Sequence, residues 1–226
     1  MDPQSTPTQP PSPLVAPDVE AYAASVTTPQ PDRLVELERS TRASLSNPQM
    51  LSGPVVGRLL EMLVHATGAQ RVLEIGTYSG YSALAMAAAL RPGGRIVTLE
   101  ADAHHAEFAR RAFAASPFAD RIELIEGPAA ETLAGLQGPF EVVFIDADKD
   151  GYPHYVELTL PMLAEHGVIA LDNTLRGGHV LDSADGPAAT MDELNRSLAS
   201  DPRLLSVMLT VRDGVTLVRR RNPGPE

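Results

Sequence analysis

The chain has 226 residues, 43% of them hydrophobic and 21% charged, which suits one domain with a sizeable core. Eighteen Lys and Arg against 29 Asp and Glu leave a formal charge of -11, which argues against nucleic acid as a partner. The absence of Cys removes disulfides, thiolate metal sites and cysteine nucleophiles, and no apolar run nears the roughly 20 residues of a membrane span.

No basic-then-apolar signal pattern opens the chain, so a cytoplasmic protein is expected. Residues 1–17 hold six Pro among Gln, Ser and Thr, too little apolar surface to offset the entropy of ordering, and are read as a disordered tail. The rest, 18–226, reads as one domain whose stretch 18–67 is a helical lead-in. Pro31 and Asp32 mark a helix start that places Leu34, Leu37 and Leu45 near one stripe. A further helix spans Pro54 to Ala66, with Val55, Leu59, Leu60, Leu63 and Val64 at helical spacing.

From Arg71 short β-type runs alternate with helical ones. The strands are RVLEI (71–75), RIVTLE (95–100), RIELIE (121–126), EVVFID (141–146) and GVIALD (167–172). Ala- and Leu-rich helices fall at 80–91, 102–115, 128–136 and 152–164. Mostly apolar runs of this length suit a parallel sheet covered on both faces. A helix near 187–200 then leads to LLSVMLT and GVTLVRR, an antiparallel hairpin closing the sheet. The fold class is α/β.

Glu74, Glu100, Asp146 and Asp172 each stand at or near the carboxyl end of a strand. In a parallel sheet those ends share one edge, where open α/β folds bind ligands. Carboxylates crowded there repel unless a cation or hydrogen-bond donors compensate them. The plainer alternative is a set of separate helix caps and loop acids. The first turn, EIGTYSGYS, carries Gly76 and Gly80 but lacks the G-x-G-x-x-G spacing of a pyrophosphate cradle. Glu100, 24 residues beyond Gly76, suits a bidentate hold on a ribose diol, so the ligand reads as a nucleoside without a pyrophosphate.

FIDADKDGY offers Asp146, Asp148, Lys149 and Asp150, and LDN offers Asp172 and Asn173. Two carboxylates and an amide are hard oxygen ligands that suit a divalent cation such as Mg²⁺. A Lys beside such a site can serve as a general base; its plainer role is a surface ion pair with Asp146 or Asp150.

VLEIGTYSGYSAL, the Glu100 strand end, FIDADKDGYPHY and LDNTL, in that order, resemble the cation-dependent class I O-methyltransferases of the caffeoyl-coenzyme A and catechol type. The likeness runs from about residue 20 to Arg220. It implies a Rossmann-like sheet, S-adenosylmethionine as cofactor, and Mg²⁺, or Mn²⁺ or Ca²⁺ in its place. It also implies a phenolic or catechol acceptor and a homodimer. By position it assigns cofactor contacts to Ser52, Glu74, Gly76, Thr77, Ser82, Glu100, Ala129, Asp146, Asp148 and Tyr155. Asp146, Asp172 and Asn173 match the metal ligands, and Lys149, beside Asp146, matches the residue that deprotonates the acceptor.

The loop NTLRGGHVLD departs from the plant pattern, with Arg176 where those enzymes carry an aromatic residue, and Gly177–Gly178 make it permissive. His104 and His105, adjacent at a helix start and unable to share one helical face, are expected to be a solvated pair. Other readings are a different nucleoside-using enzyme, such as an aminopropyl or nucleic-acid methyl transferase, and a silent S-adenosylmethionine-binding protein. The DADK and DN pair disfavours both.

Overall fold

The computed structural model describes residues 14–182 and 184–221. Most of the expected disordered tail therefore lies outside the described residues; of it, only 14–17 are described, and Pro17 already opens a helix. Helices α1 (Pro17–Ser25), α2 (Asp32–Ser44) and α3 (Gly53–Thr67) form the lead-in. Pro54 in the first turn of α3 has no N–H to leave unsatisfied, and Gly68 ends the helix in the left-handed region at φ 61°. Val56, Gly57, Leu60 and Val64 of α3 are buried, a stripe at helical spacing that faces the sheet. In α2 the expected stripe holds for Leu34 and Leu37; Leu45 is buried as well but lies just beyond the helix end.

Strands β1 (Arg71–Ile75), β2 (Arg95–Glu100), β3 (Ile122–Glu126), β4 (Phe140–Ile145), β5 (Leu163–Asp172), β6 (Leu204–Leu209) and β7 (Val215–Arg220) make one seven-stranded sheet in the order β3-β2-β1-β4-β5-β7-β6. The first five are parallel, and β7 and β6 close the sheet antiparallel, as the sequence implies. Between them run α4 (Tyr81–Ala87), α5 (Ala103–Ala114), α6 (Ala129–Ala134), α7 (Tyr152–Thr159) and α8 (Gly186–Ser200). No helix among the described residues is long and apolar enough to cross a membrane.

Alternation along the strands divides the core. Leu73, Ile75, Val143, Ile145, Ile169 and Leu171 pack with Leu133 of α6, Val156 of α7 and Leu194 of α8. Val72, Val142, Phe144 and Ala170 point the other way, onto α3 and Met86 of α4. Two boundaries differ from the sequence reading. The expected helix 152–164 stops at Thr159 because Pro161, which cannot donate a backbone N–H, follows. The freed residues extend β5 back to Leu163, four positions before its expected start.

The strand order reverses at β1, which sends the chain outward to β2 and β3 and takes β4 on its other side. A crevice at the carboxyl ends of β1 and β4 follows from that reversal, because the crossovers leave in opposite directions. Glu74 has the same parity as Val72, so its carboxyl lies inside the layer between β1 and α4, fully buried. Burial pushes its pKa up to about 8, against the pull of the Ser82 and Thr98 hydroxyls, and the charges of Asp146 and Glu100 push the same way.

The folded protein therefore keeps a proton on Glu74 that the unfolded chain releases near its ordinary value of 4.5. Stability from this group is complete below that value and declines as pH rises toward about 8. Calorimetry of the cofactor-free protein should show Tm falling from pH 5 to pH 8.5, with a shallower fall in Glu74→Gln. An identical slope in the variant would contradict this.

Candidate active site

A cavity of about 680 Å³ opens at the carboxyl ends of β1, β2, β4 and β5. Its floor is the turn after β1, where Gly76 has φ 96° and a Cβ would lie 2.0 Å from the backbone oxygen of Asp146. Only glycine lets the end of β1 pass the end of β4 this closely. That requirement comes from a contact within the protein, at a residue that also lines the cavity. Gly80 is likewise needed for packing, since a Cβ there would meet the Phe113 ring at 2.5 Å.

One end of the cavity is built around Glu100, the last residue of β2. Its two carboxyl oxygens accept backbone N–H groups of Tyr78 (2.7 Å) and Asp102 (2.9 Å), which fix the carboxylate while leaving lone pairs toward the cavity. Tyr78, in the left-handed region at φ 48°, is anchored by its hydroxyl to the Ser46 carbonyl at 2.8 Å. Asp102 caps α5 by accepting the N–H groups of His104 and His105. That cap turns His105 inward: its ring stands edge-on to Tyr78 at 4.9 Å, and Nδ1 is 3.9 Å from Glu100. The expectation of a solvated pair holds for exposed His104 and fails for His105, because the helix cap aims adjacent residues in different directions.

Ser52, Thr77, Ser82 and Ala129 line the same part of the cavity. The Thr77 and Thr98 hydroxyls share a hydrogen bond, and Thr98 donates to the Glu74 carboxyl below the floor. Glu74 itself does not line the cavity, unlike the other positions matched to the cofactor, and its Oε1 has no hydrogen-bond partner. On the opposite wall the Tyr155 hydroxyl donates to Asp148 at 2.5 Å, and Asp148 also accepts the Gly151 N–H at 3.0 Å.

The other end holds the acids of β4 and β5. Ile145 pairs with Leu171, so Asp146 and Asp172, one step further along each strand, are neighbours. Asp172 is 2% exposed; burial first, and the charge of Asp146 second, hold its carboxyl well above the usual carboxylate range. It accepts the backbone N–H of Asn173, which takes φ 57° to bring its side chain to this edge. Lys149 Nζ donates to Asp146 at 2.9 Å. The pair expected at the surface thus forms, but in the cavity wall, with only 13% and 19% of the two side chains exposed.

Tyr152, unmarked in the sequence reading, organises this end. It is fully buried one helical turn after Lys149, and its hydroxyl accepts from Lys149 Nζ at 2.6 Å. The same hydroxyl lies 3.0 Å from the backbone oxygens of both Ile145 and Asp172, to which its single proton can be donated. Burial and the surrounding carboxylates raise its pKa far above the usual tyrosine value, so it stays neutral. The i, i+3 spacing to Lys149 was the available signal, but aromatic residues at helical spacing are usually core.

Asp146, Asp172 and Asn173 together offer two carboxylates and an amide. Among the described residues no group of three His, Cys, Asp or Glu is positioned for a metal, so the amide is needed to complete the set. The two crowded carboxyl groups, Asp172 beside Asp146, fit a hard cation.

A family model described as O-methyltransferase matches residues 23–221. The catechol O-methyltransferase of Mycobacterium tuberculosis is 40% identical over 178 residues, 76% of this chain and 80% of its own. Caffeoyl-CoA O-methyltransferase 1 of Eucalyptus globulus is 35% identical over 204 residues, 84% of this chain and 82% of its own. The crystal structure of an SAH-bound methyltransferase from Podospora anserina superposes with a TM-score of 0.85 at 35% identity, over 91% of this chain and 94% of that one. The edge acids and glycine turn thus sit in a chain that belongs to the O-methyltransferase family, enzymes that methylate hydroxyl groups.

Proposed function

We propose that the protein moves the methyl group of S-adenosylmethionine onto one hydroxyl of a catechol-like small molecule in a reaction that needs a divalent cation. One observation carries this reading. A single cavity brings the Glu100 carboxylate at one end together with Asp146, Asp172, Asn173 and Lys149 at the other. The names of the relatives, catechol and caffeoyl-CoA O-methyltransferases, support the same acceptor class.

Asp146, Asp172 and Asn173 would hold the cation, Mg²⁺ first and Mn²⁺ or Ca²⁺ as substitutes. Bound there, it supplies the positive charge that lowers the pKa of an adjacent phenol. Lys149 Nζ, fixed between Asp146 and the Tyr152 hydroxyl, takes the hydroxyl proton in its amine form. The phenolate oxygen forms a bond to the methyl carbon as the carbon–sulfur bond breaks, the pair remaining on sulfur in S-adenosylhomocysteine. Glu100 orients the ribose, and the Tyr155–Asp148 pair shapes the wall opposite the Gly76 turn. No covalent enzyme intermediate is required.

The same reading carries a cytoplasmic homodimer. Helix α1 buries none of its residues and leaves Val19 and Tyr22 55% and 68% exposed, an apolar face near the amino terminus.

Labelled methyl transfer from S-adenosylmethionine to caffeate, with Mg²⁺ and then with excess chelator, tests the whole reading. Transfer that persists undiminished in chelator would remove the cation from it, and transfer to no vicinal diol would remove the acceptor class. Asp172→Ala should cut cation-stimulated turnover by about a hundredfold or more, with cofactor affinity measured by calorimetry nearly unchanged. A parallel loss of cofactor binding would show that the residue was misassigned. Glu100→Ala should weaken S-adenosylmethionine binding about tenfold or more, the loss of one charged hydrogen bond. Wild-type affinity in that variant would contradict the ribose assignment.

A further inference from the structure

We infer that the acceptor carries an acidic substituent, read by Arg176, so that carboxylated vicinal diols are the favoured substrates. This rests on the catechol-type transfer proposed above and adds the charge of the molecule to it. Arg176 lies three residues beyond Asn173 and lines the acid end of the cavity. Its backbone is held rigidly: Arg176 itself has φ 51°, Gly177 donates to the Asp213 carboxylate at 2.5 Å, and Gly178 donates to the Leu175 carbonyl at 2.8 Å. A non-glycine residue in the left-handed region costs about 1 kcal/mol and persists where surrounding contacts over-determine it.

The charges around the cavity show why this side chain is free to bind something. Lys149 is paired with Asp146. Arg212 donates to the Leu51 and Ser52 carbonyl oxygens and faces Glu20 at 3.8 Å, so it clamps the lead-in against the β6–β7 turn. Each lining carboxylate already accepts from a group of this chain. Arg176 is left over. Among the described residues its guanidinium makes no ion pair or hydrogen bond, and its Nε is buried without a partner. A buried guanidinium nitrogen without an acceptor is costly, and a planar carboxylate is the group whose geometry matches it.

The crowded acids of the cavity do not oppose an anionic acceptor once the site is loaded. A divalent cation and a sulfonium cofactor together offset the negative excess that the empty cavity carries. A diol held at the acid end then presents its ring substituent toward the loop of Arg176.

The test is steady-state methylation by the Mg²⁺-supplemented protein of three catechols of similar size. These are protocatechuate (anionic), protocatechuyl alcohol (neutral) and the corresponding benzylamine (cationic). Wild type should follow that order in kcat/KM, with protocatechuate preferred over the alcohol by about tenfold or more, as one charge-assisted contact implies. Arg176→Gln should bring the two within about twofold, and Arg176→Glu should reverse the order in favour of the amine, a result that a merely structural role cannot produce. Calorimetric S-adenosylmethionine binding by both variants checks that they fold. Equal use of alcohol and acid by wild type, or the wild-type preference surviving in Arg176→Gln, would overturn the inference while leaving the proposed transfer standing. Transfer to none of the three would overturn both.

Discussion

Two carboxylates at the ends of neighbouring buried strands set the terms for everything else at this edge. Asp146 and Asp172 are adjacent because β4 and β5 are in parallel register up to Ile145 and Leu171. Like charges this close, one of them almost wholly buried, are unfavourable without compensation. The chain supplies part of it through the Lys149 ammonium, the Asn173 N–H and the neutral Tyr152 hydroxyl that ties both strand ends together. The remainder is what the proposed cation would supply. An edge that cost nothing to leave empty would have little to gain from binding one.

The second constraint is topological. Because strand order reverses at β1, the turn after β1 and the end of β4 share one crevice, and Gly76 lets them touch. The Glu100 end and the Asp146–Asp172 end are thereby brought into a single cavity. Buried hydroxyls and backbone donors hold each end in place: Thr77, Thr98 and Glu74 beneath the floor, Tyr78 and Asp102 around Glu100. Fixed geometry of this kind suits a displacement in which the protein's chief contribution is to align oxygen, carbon and sulfur.

The loop beyond Asn173 brings a cation, Arg176, to the cavity wall. Arg176 sits on a left-handed turn that the Asp213 side chain pins from the β6–β7 connection. The placement of Arg176 therefore depends on residues far apart in sequence, which meet only because β7 returns to pair with β5.

Much of this was written in local sequence. Apolar runs of five or six residues, separated by helical stretches, determined an α/β sheet, since only strands covered on both faces need them. Acids at successive strand ends determined which edge carries chemistry, and DADK with DN determined the donor types. What the tertiary structure decided lies in which way each side chain points and which partner it reaches. It placed Glu74 under the floor and not in the cavity, because strand parity turned it toward α4. His105 came inward through the α5 cap, and Tyr152, seemingly a core aromatic, became the hydroxyl that joins Lys149 to both strand ends. Arg176 was left without a partner among the described residues, where each acid lining the cavity had found its own. Residue types determine what chemistry is possible, but partner choice is a property of distances, and those exist only after the sheet has closed.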